Sequence, residues 1–257
     1  MNASDNKNTQ RYFSEPVSDD QSSYAHRQLI GYVGMVLPPL LWLITIWRPT
    51  GVKDQVPWAP LSSISAYYYT GAVSVFAGCL VALALFFFAY RGYNNEYGHR
   101  DRVAAFIAGL AAIVVAFFPS EAPIGLSEPS WWTVAMKNMH YAGAVFLFGS
   151  FIFFSLFQFP RSAENPEKLS ADKQSRNRIY IFCGVAMVLS MVWVIVAIFM
   201  NASIFWPETL ALEFFAVSWL VKGRADQTAI AVGKRTLHYG RHPRQLAAKT
   251  WSIMSGK

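Results

Sequence analysis

The chain has 257 residues, 54% of them hydrophobic and only 14% charged, with a net charge of +7. Soluble domains carry about 45–50% apolar and about 25% charged residues, so this composition excludes an ordinary soluble globule. It points to a single membrane bundle that uses most of the chain.

Residues 1–26 are polar and mixed in charge, with no apolar run before Leu29. They read as a disordered cytoplasmic N-tail rather than a cleavable signal. Six apolar segments follow, and transmembrane helices are predicted at 28–47, 70–90, 103–119, 140–159, 179–200 and 205–221. Each is near the roughly 20 residues needed to cross a hydrocarbon core. Open-edged strands are excluded in lipid, so the expected fold class is all-α: six transmembrane helices in one bundle over residues 27–222. A basic cytoplasmic C-tail occupies 223–257.

Within the first segment Pro38 and Pro39 predict a kink, although membrane helices tolerate proline. In the third, Ala104, Ala108, Ala112 and Ala116 recur every fourth position beside Gly109, which predicts close helix approach and a central place in the bundle. Trp47, Tyr90, Tyr180, Trp206 and Trp219 fall at segment ends, where amphipathic rings favour the membrane interface. Cys79 and Cys183 lie in different apolar segments and read as small hydrophobes, not as a disulfide or a metal site. No internal repeat is visible, which argues against an inverted-repeat transporter.

All but three of the 22 lysines and arginines lie in the two tails and the second and fourth connections; the exceptions are Arg48, Lys53 and Lys137. This asymmetry predicts that those basic parts, and with six crossings both termini, face the cytoplasm of a bacterial inner membrane. Residues 48–69, 120–139 and 201–204 then face outward. The Asn201-Ala202-Ser203 sequon abuts the membrane there and reads as chance. Residues 222–257 hold eight basic residues against the single acid Asp226, a charge suited to anionic lipid headgroups. No nucleic-acid-binding motif accompanies that charge.

Few residues suggest chemistry. Glu213 lies seven positions after Trp206, roughly 10 Å below the outer interface at 1.5 Å per residue. Ionisable groups at that depth are functional candidates, although a carboxylate that only ties two helices together fits as well. Its partners by depth are Tyr67, Tyr68, Tyr69 and His140. Glu208 follows Pro207 at the start of the sixth segment, where helix capping alone accounts for a carboxylate. His140 is the one histidine on the outward side; His26, His99, His238 and His242 are predicted cytoplasmic, and a zinc site wants three or four convergent ligands. The stretch SSISAYYYTG at 62–71 offers serines as nucleophiles and tyrosines as a pocket lining or as interface anchors. Ser65 with His140 and either Glu208 or Glu121 is a permitted triad that nothing in the spacing demands. Trp131 and Trp132 beside prolines suggest a loop lying in the outer interface.

The segments SSISAYYYTG, AYRGY at 89–93, AFFPSE at 116–121, NRIY at 177–180 and FWPETLALEFFAVSWLVKG at 205–223 resemble a group of bacterial polytopic membrane proteins filed under domains of unknown function. The resemblance covers about Leu29 to Gly223 and implies no particular reaction. More distantly, the serine-rich stretch resembles alkaline-ceramidase-like hydrolases and Frag/DRAM/Sfk-type membrane proteins. Those hydrolases use a serine, an aspartate and several histidines around zinc, of which only Ser65 and His140 have counterparts here.

The expectation is therefore a membrane protein without metal or cofactor. It would hold a lipid or other amphiphile in an outer-leaflet cavity between the second, fourth and sixth helices, lined by Tyr67, Tyr68, Tyr69, His140, Glu208 and Glu213. The alternatives are a lipid hydrolase or transferase using Ser65, His140 and Glu208, a proton-coupled transporter using Glu213, and a structural or partner-binding role.

Overall fold

Residues 19–47, 58–90, 98–161 and 171–225 are described by a computed structural model, and among them six α-helices and no strand form. They are α1 (Asp19–Trp47), α2 (Val73–Ala89), α3 (Gly98–Phe117), α4 (Val134–Phe153), α5 (Ala171–Phe199) and α6 (Phe205–Lys222). A 3₁₀ turn, Ser65–Tyr69, precedes α2, and a π turn, Phe154–Gln158, prolongs α4. The predicted N-tail up to residue 18 and the predicted C-tail beyond residue 225 lie outside the described residues.

Three stretches are long and apolar enough to cross a membrane: Tyr24–Ile46, Val134–Gln158 and Ala171–Phe199. The other helices fall short for visible reasons. α2 is apolar but has 17 residues, α3 opens on the charged run His99-Arg100-Asp101-Arg102, and α6 carries Glu208, Glu213 and Lys222 within 18 residues.

Each helix packs against its neighbours in the chain, and α6 returns against α1 to close a ring. The closing seam depends on absent side chains. A Cβ on Gly31 would come within 3.0 Å of the Ala216 carbonyl, and one on Gly34 within 3.0 Å of the Phe215 ring. Rings from α2, α4 and α6 fill the centre. Phe151 stacks on Phe215 at 3.7 Å between centroids, and Trp219 meets Tyr90, Phe154 and Phe159 at 5.3, 5.3 and 5.1 Å. Such offset and edge-on pairs add to what burial alone contributes.

Two expectations are corrected. α3 is not central: its alanine face is buried, but it packs mainly against α2 and α4, and Phe106 and Leu110 on its other side are exposed. Small residues allow close approach without dictating which helix sits in the middle. Tyr90, Tyr180 and Trp219 are buried in the bundle rather than placed as surface anchors, whereas Trp206 is exposed as expected. α1 runs unbroken through Pro38 and Pro39. The outside of the ring is apolar, with Leu85, Phe146, Phe182, Leu189 and Phe199 all exposed, far more than a soluble surface carries in one band.

Candidate functional site

The starts of α2, α4 and α6 share one end of the bundle, and residues 61–65 tie two of them together. A helix start leaves backbone N–H groups without intrahelical acceptors. At α6 the Ser62 carbonyl supplies the acceptor: it takes the N–H of Ile204 at 2.8 Å and of Phe205 at 3.0 Å, and the Ser203 hydroxyl at 3.1 Å. α6 answers through Glu208, whose Oε2 accepts the Ile64 N–H at 2.8 Å. Glu208 therefore does not cap its own helix. It fastens a loop 144 residues away in sequence.

Ser65, buried, lies 3.2 Å from the Ser63 hydroxyl, which also accepts the Ala66 N–H at 3.0 Å. His140, in the second turn of α4, is buried, and its Nδ1 lies 2.6 Å from the Phe118 carbonyl at the end of α3. A carbonyl only accepts, so Nδ1 carries the proton and Nε2 is left as the ring's acceptor.

Ser65, His140 and Glu208 line one cavity. Its walls are otherwise mostly apolar, including Leu37, Phe76, Leu83, Leu147 and Leu212, with Cys79 the one thiol. The internal space is about 50 Å³, room for a few water molecules and too little for an acyl chain. No hydrogen bond joins the three residues: Ser65 turns to Ser63, His140 to Phe118 and Glu208 to Ile64.

The remaining candidates lie elsewhere. Tyr67 is fully buried against Phe205, and its hydroxyl accepts the Leu61 N–H at 3.3 Å. Tyr68 meets Tyr69 and Phe76 edge-on. The Tyr69 hydroxyl donates to the Ser120 carbonyl at 2.6 Å, beside the Trp132 indole N–H at 2.9 Å. All three tyrosines hold the structure around the cavity without lining it. Glu213 is half-buried, outside the lining, and without a hydrogen bond or ion pair among the described residues. Five residues at 100° each place it about 140° around α6 from Glu208. Glu121, the alternative triad acid, sits at the surface in an ion pair with Lys137 at 3.0 Å. Among the described residues no group of three or more His, Cys, Asp or Glu is placed to hold a metal.

Burial, with the nearby acids Glu128 and Glu121, raises the Tyr69 phenol to about 12. The folded protein thus holds this proton more tightly than the unfolded chain, so the Tyr69 contribution is full below the ordinary value of 10.0 and is lost as pH rises towards 12. Tyr69→Phe should cost about 0.5–1.5 kcal/mol at neutral pH, because Trp132 still serves the Ser120 carbonyl. It should also flatten the stability profile between pH 10 and 12 in thermal unfolding.

Sequence reasoning offered Ser62 and Ser63 only as nucleophiles and missed the Phe118 carbonyl; all three position the site through backbone or local polar contacts. No protein-family model matches the chain, and comparison with curated proteins and with solved structures finds no similar one.

Proposed function

We propose that this chain is a bacterial inner-membrane protein of the group its motifs resemble, with six spans and both termini cytoplasmic. In this reading its outer half receives the polar end of a lipid or other amphiphile between α2, α4 and α6. The ring of helices with an apolar exterior supports the membrane reading, as does the distribution of lysine and arginine. The attraction of the basic C-tail to anionic headgroups belongs to the same reading.

The ligand reading is carried by one observation: His140 and Glu208, on different helices, line the same small cavity. His140 offers Nε2, and Glu208 keeps Oε1 beyond its bond to Ile64. Both are acceptors, so the matching group is a donor such as a hydroxyl or an amine. With about 50 Å³ available, only that group enters, and the apolar part of the ligand stays outside the ring.

The protein purified in mild detergent should carry one lipid class enriched over the bulk membrane by mass spectrometry. Exchanging a charged acceptor or an imidazole for a weaker partner should lower the enrichment roughly tenfold in Glu208→Gln and in His140→Phe. No enrichment, or enrichment that neither substitution alters, would contradict the reading.

Ser65 in the same lining favours a second reading, a hydrolase or transferase acting on a lipid headgroup. Ser65 Oγ would attack the ester carbonyl or phosphoryl centre of the headgroup and pass its proton to His140 Nε2, which would return it to the departing alcohol as the ester bond breaks. A fluorophosphonate probe should then label the protein, and Ser65→Ala should abolish the label; an unlabelled native protein removes this reading. A proton-coupled role for Glu213 has no supporting neighbour among the described residues.

A further inference from the structure

The outside of the ring carries a groove between the first half of α3 and the second half of α4. Val103 and Ile107 form one wall, and Val145, Phe146 and Phe153 the other. Its volume is about 670 Å³, far larger than the internal cavity and within the roughly 300–1,000 Å³ of small-ligand sites. At 1.5 Å per residue the groove runs roughly 10 Å along α3 from Arg100 to Ile107, and about 12 Å along α4 from Val145 to Phe153. One leaflet of a hydrocarbon core is about 15 Å deep, so the groove matches most of the depth that an acyl chain occupies.

Gly149 makes the notch in the α4 wall. Gly143, on the same helix, has a packing reason: a Cβ there would come within 2.8 Å of Val114. A Cβ on Gly149 would meet nothing within 4 Å. No described neighbour therefore requires the missing side chain, and its absence only deepens the groove. The floor is apolar in effect, since the buried Ser150 hydroxyl is spent on the Phe146 carbonyl of its own helix at 2.7 Å.

One end of the groove is different. His99 and Arg100 line it where α3 begins, both are exposed, and neither bonds to another side chain among the described residues. Asp101, next in the chain, is buried and outside the lining. Ordinary contact with lipid tails accounts for the apolar walls, but not for a basic pair at their end. An arginine can lay its stem along such a wall while its guanidinium stays at headgroup level, where its fork of donors fits a phosphate. We propose that this groove holds an acyl chain of an anionic phospholipid, whose phosphate is bound by Arg100 with His99 beside it. The site requires the apolar exterior to lie in lipid, as proposed above, and is separate from the cavity of His140 and Glu208.

Native mass spectrometry of the full chain, released from mild detergent containing equal amounts of phosphatidylglycerol and phosphatidylcholine, counts the retained lipid. Phosphatidylglycerol should be retained about tenfold over phosphatidylcholine, the effect of one charge-assisted hydrogen bond. Arg100→Gln, at an exposed position, should bring the two lipids level. Gly149→Leu fills the notch from a Cβ that meets nothing and gains helix propensity, so its Tm should equal or exceed the native value while the retained lipid is lost. If Gly149→Leu fails to fold, Arg100→Gln decides alone. Equal retention of the two lipids by the native protein, a preference that survives Arg100→Gln, or retention unchanged in folded Gly149→Leu would overturn the proposal. Loss in His140→Phe with none in Gly149→Leu would place the lipid in the cavity instead, and would overturn it equally.

Discussion

Replacing Trp219 by alanine should lower the unfolding free energy by about 3–5 kcal/mol, the range for removing a large buried aromatic. Trp219 has no exposed surface and touches rings from two other parts of the chain, Phe87 and Tyr90 at 5.6 and 5.3 Å and Phe154 and Phe159, and from Phe215 one turn back on its own helix at 6.1 Å. Its loss removes the contact where α2, α4 and α6 meet. Trp219→Phe should recover much of that stability, since the indole N–H has no acceptor to lose among the described residues. Reversible unfolding in mixed micelles measures both. A cost below about 1 kcal/mol for the alanine variant would mean that the central rings do not hold the ring of helices together.

Glu208 separates stability from function. Glu208→Leu removes the acceptor of the Ile64 N–H and should cost about 1–3 kcal/mol, the range for leaving a buried donor unmet. Glu208→Gln keeps an oxygen in the same place, so its unfolding should stay within about 1 kcal/mol of the native protein. The proposed ligand would nevertheless lose affinity in both. If Glu208→Gln unfolds as readily as Glu208→Leu, the carboxylate charge rather than the bond to Ile64 secures the loop.

Hydropathy marked the apolar part of every helix, but not the whole helix. The prediction of 140–159 begins six residues inside α4, which starts at Val134 after Thr133 accepts the Met136 N–H. Likewise 179–200 omits the polar opening of α5 from Ala171. A helix continues while its backbone bonds do, whereas hydropathy tracks lipid thickness. Depth was legible as well, and it placed His140 and Glu208 at one end. Azimuth was not. Glu213 has a suitable height but the wrong direction, because five residues along α6 turn it about 140° from Glu208, and the three tyrosines of the 3₁₀ turn are taken up by Phe205, Phe76 and the Ser120 carbonyl. Trp219 has an interfacial sequence position, yet packing directs it inward. The Ser62–α6 joint and the Phe118 carbonyl are backbone contacts between distant segments, and single-sequence patterns carry no trace of them.

Sidedness is tested most directly with single cysteines, in a background where Cys79 and Cys183 are replaced by alanine. Ser127→Cys lies between α3 and α4 and Ser175→Cys in the first turns of α5, and both native serines are exposed. In intact cells a membrane-impermeant maleimide should label position 127 at once and position 175 only after lysis. Labelling of 175 in intact cells, or equal labelling of both, would contradict a six-span protein with its basic end in the cytoplasm.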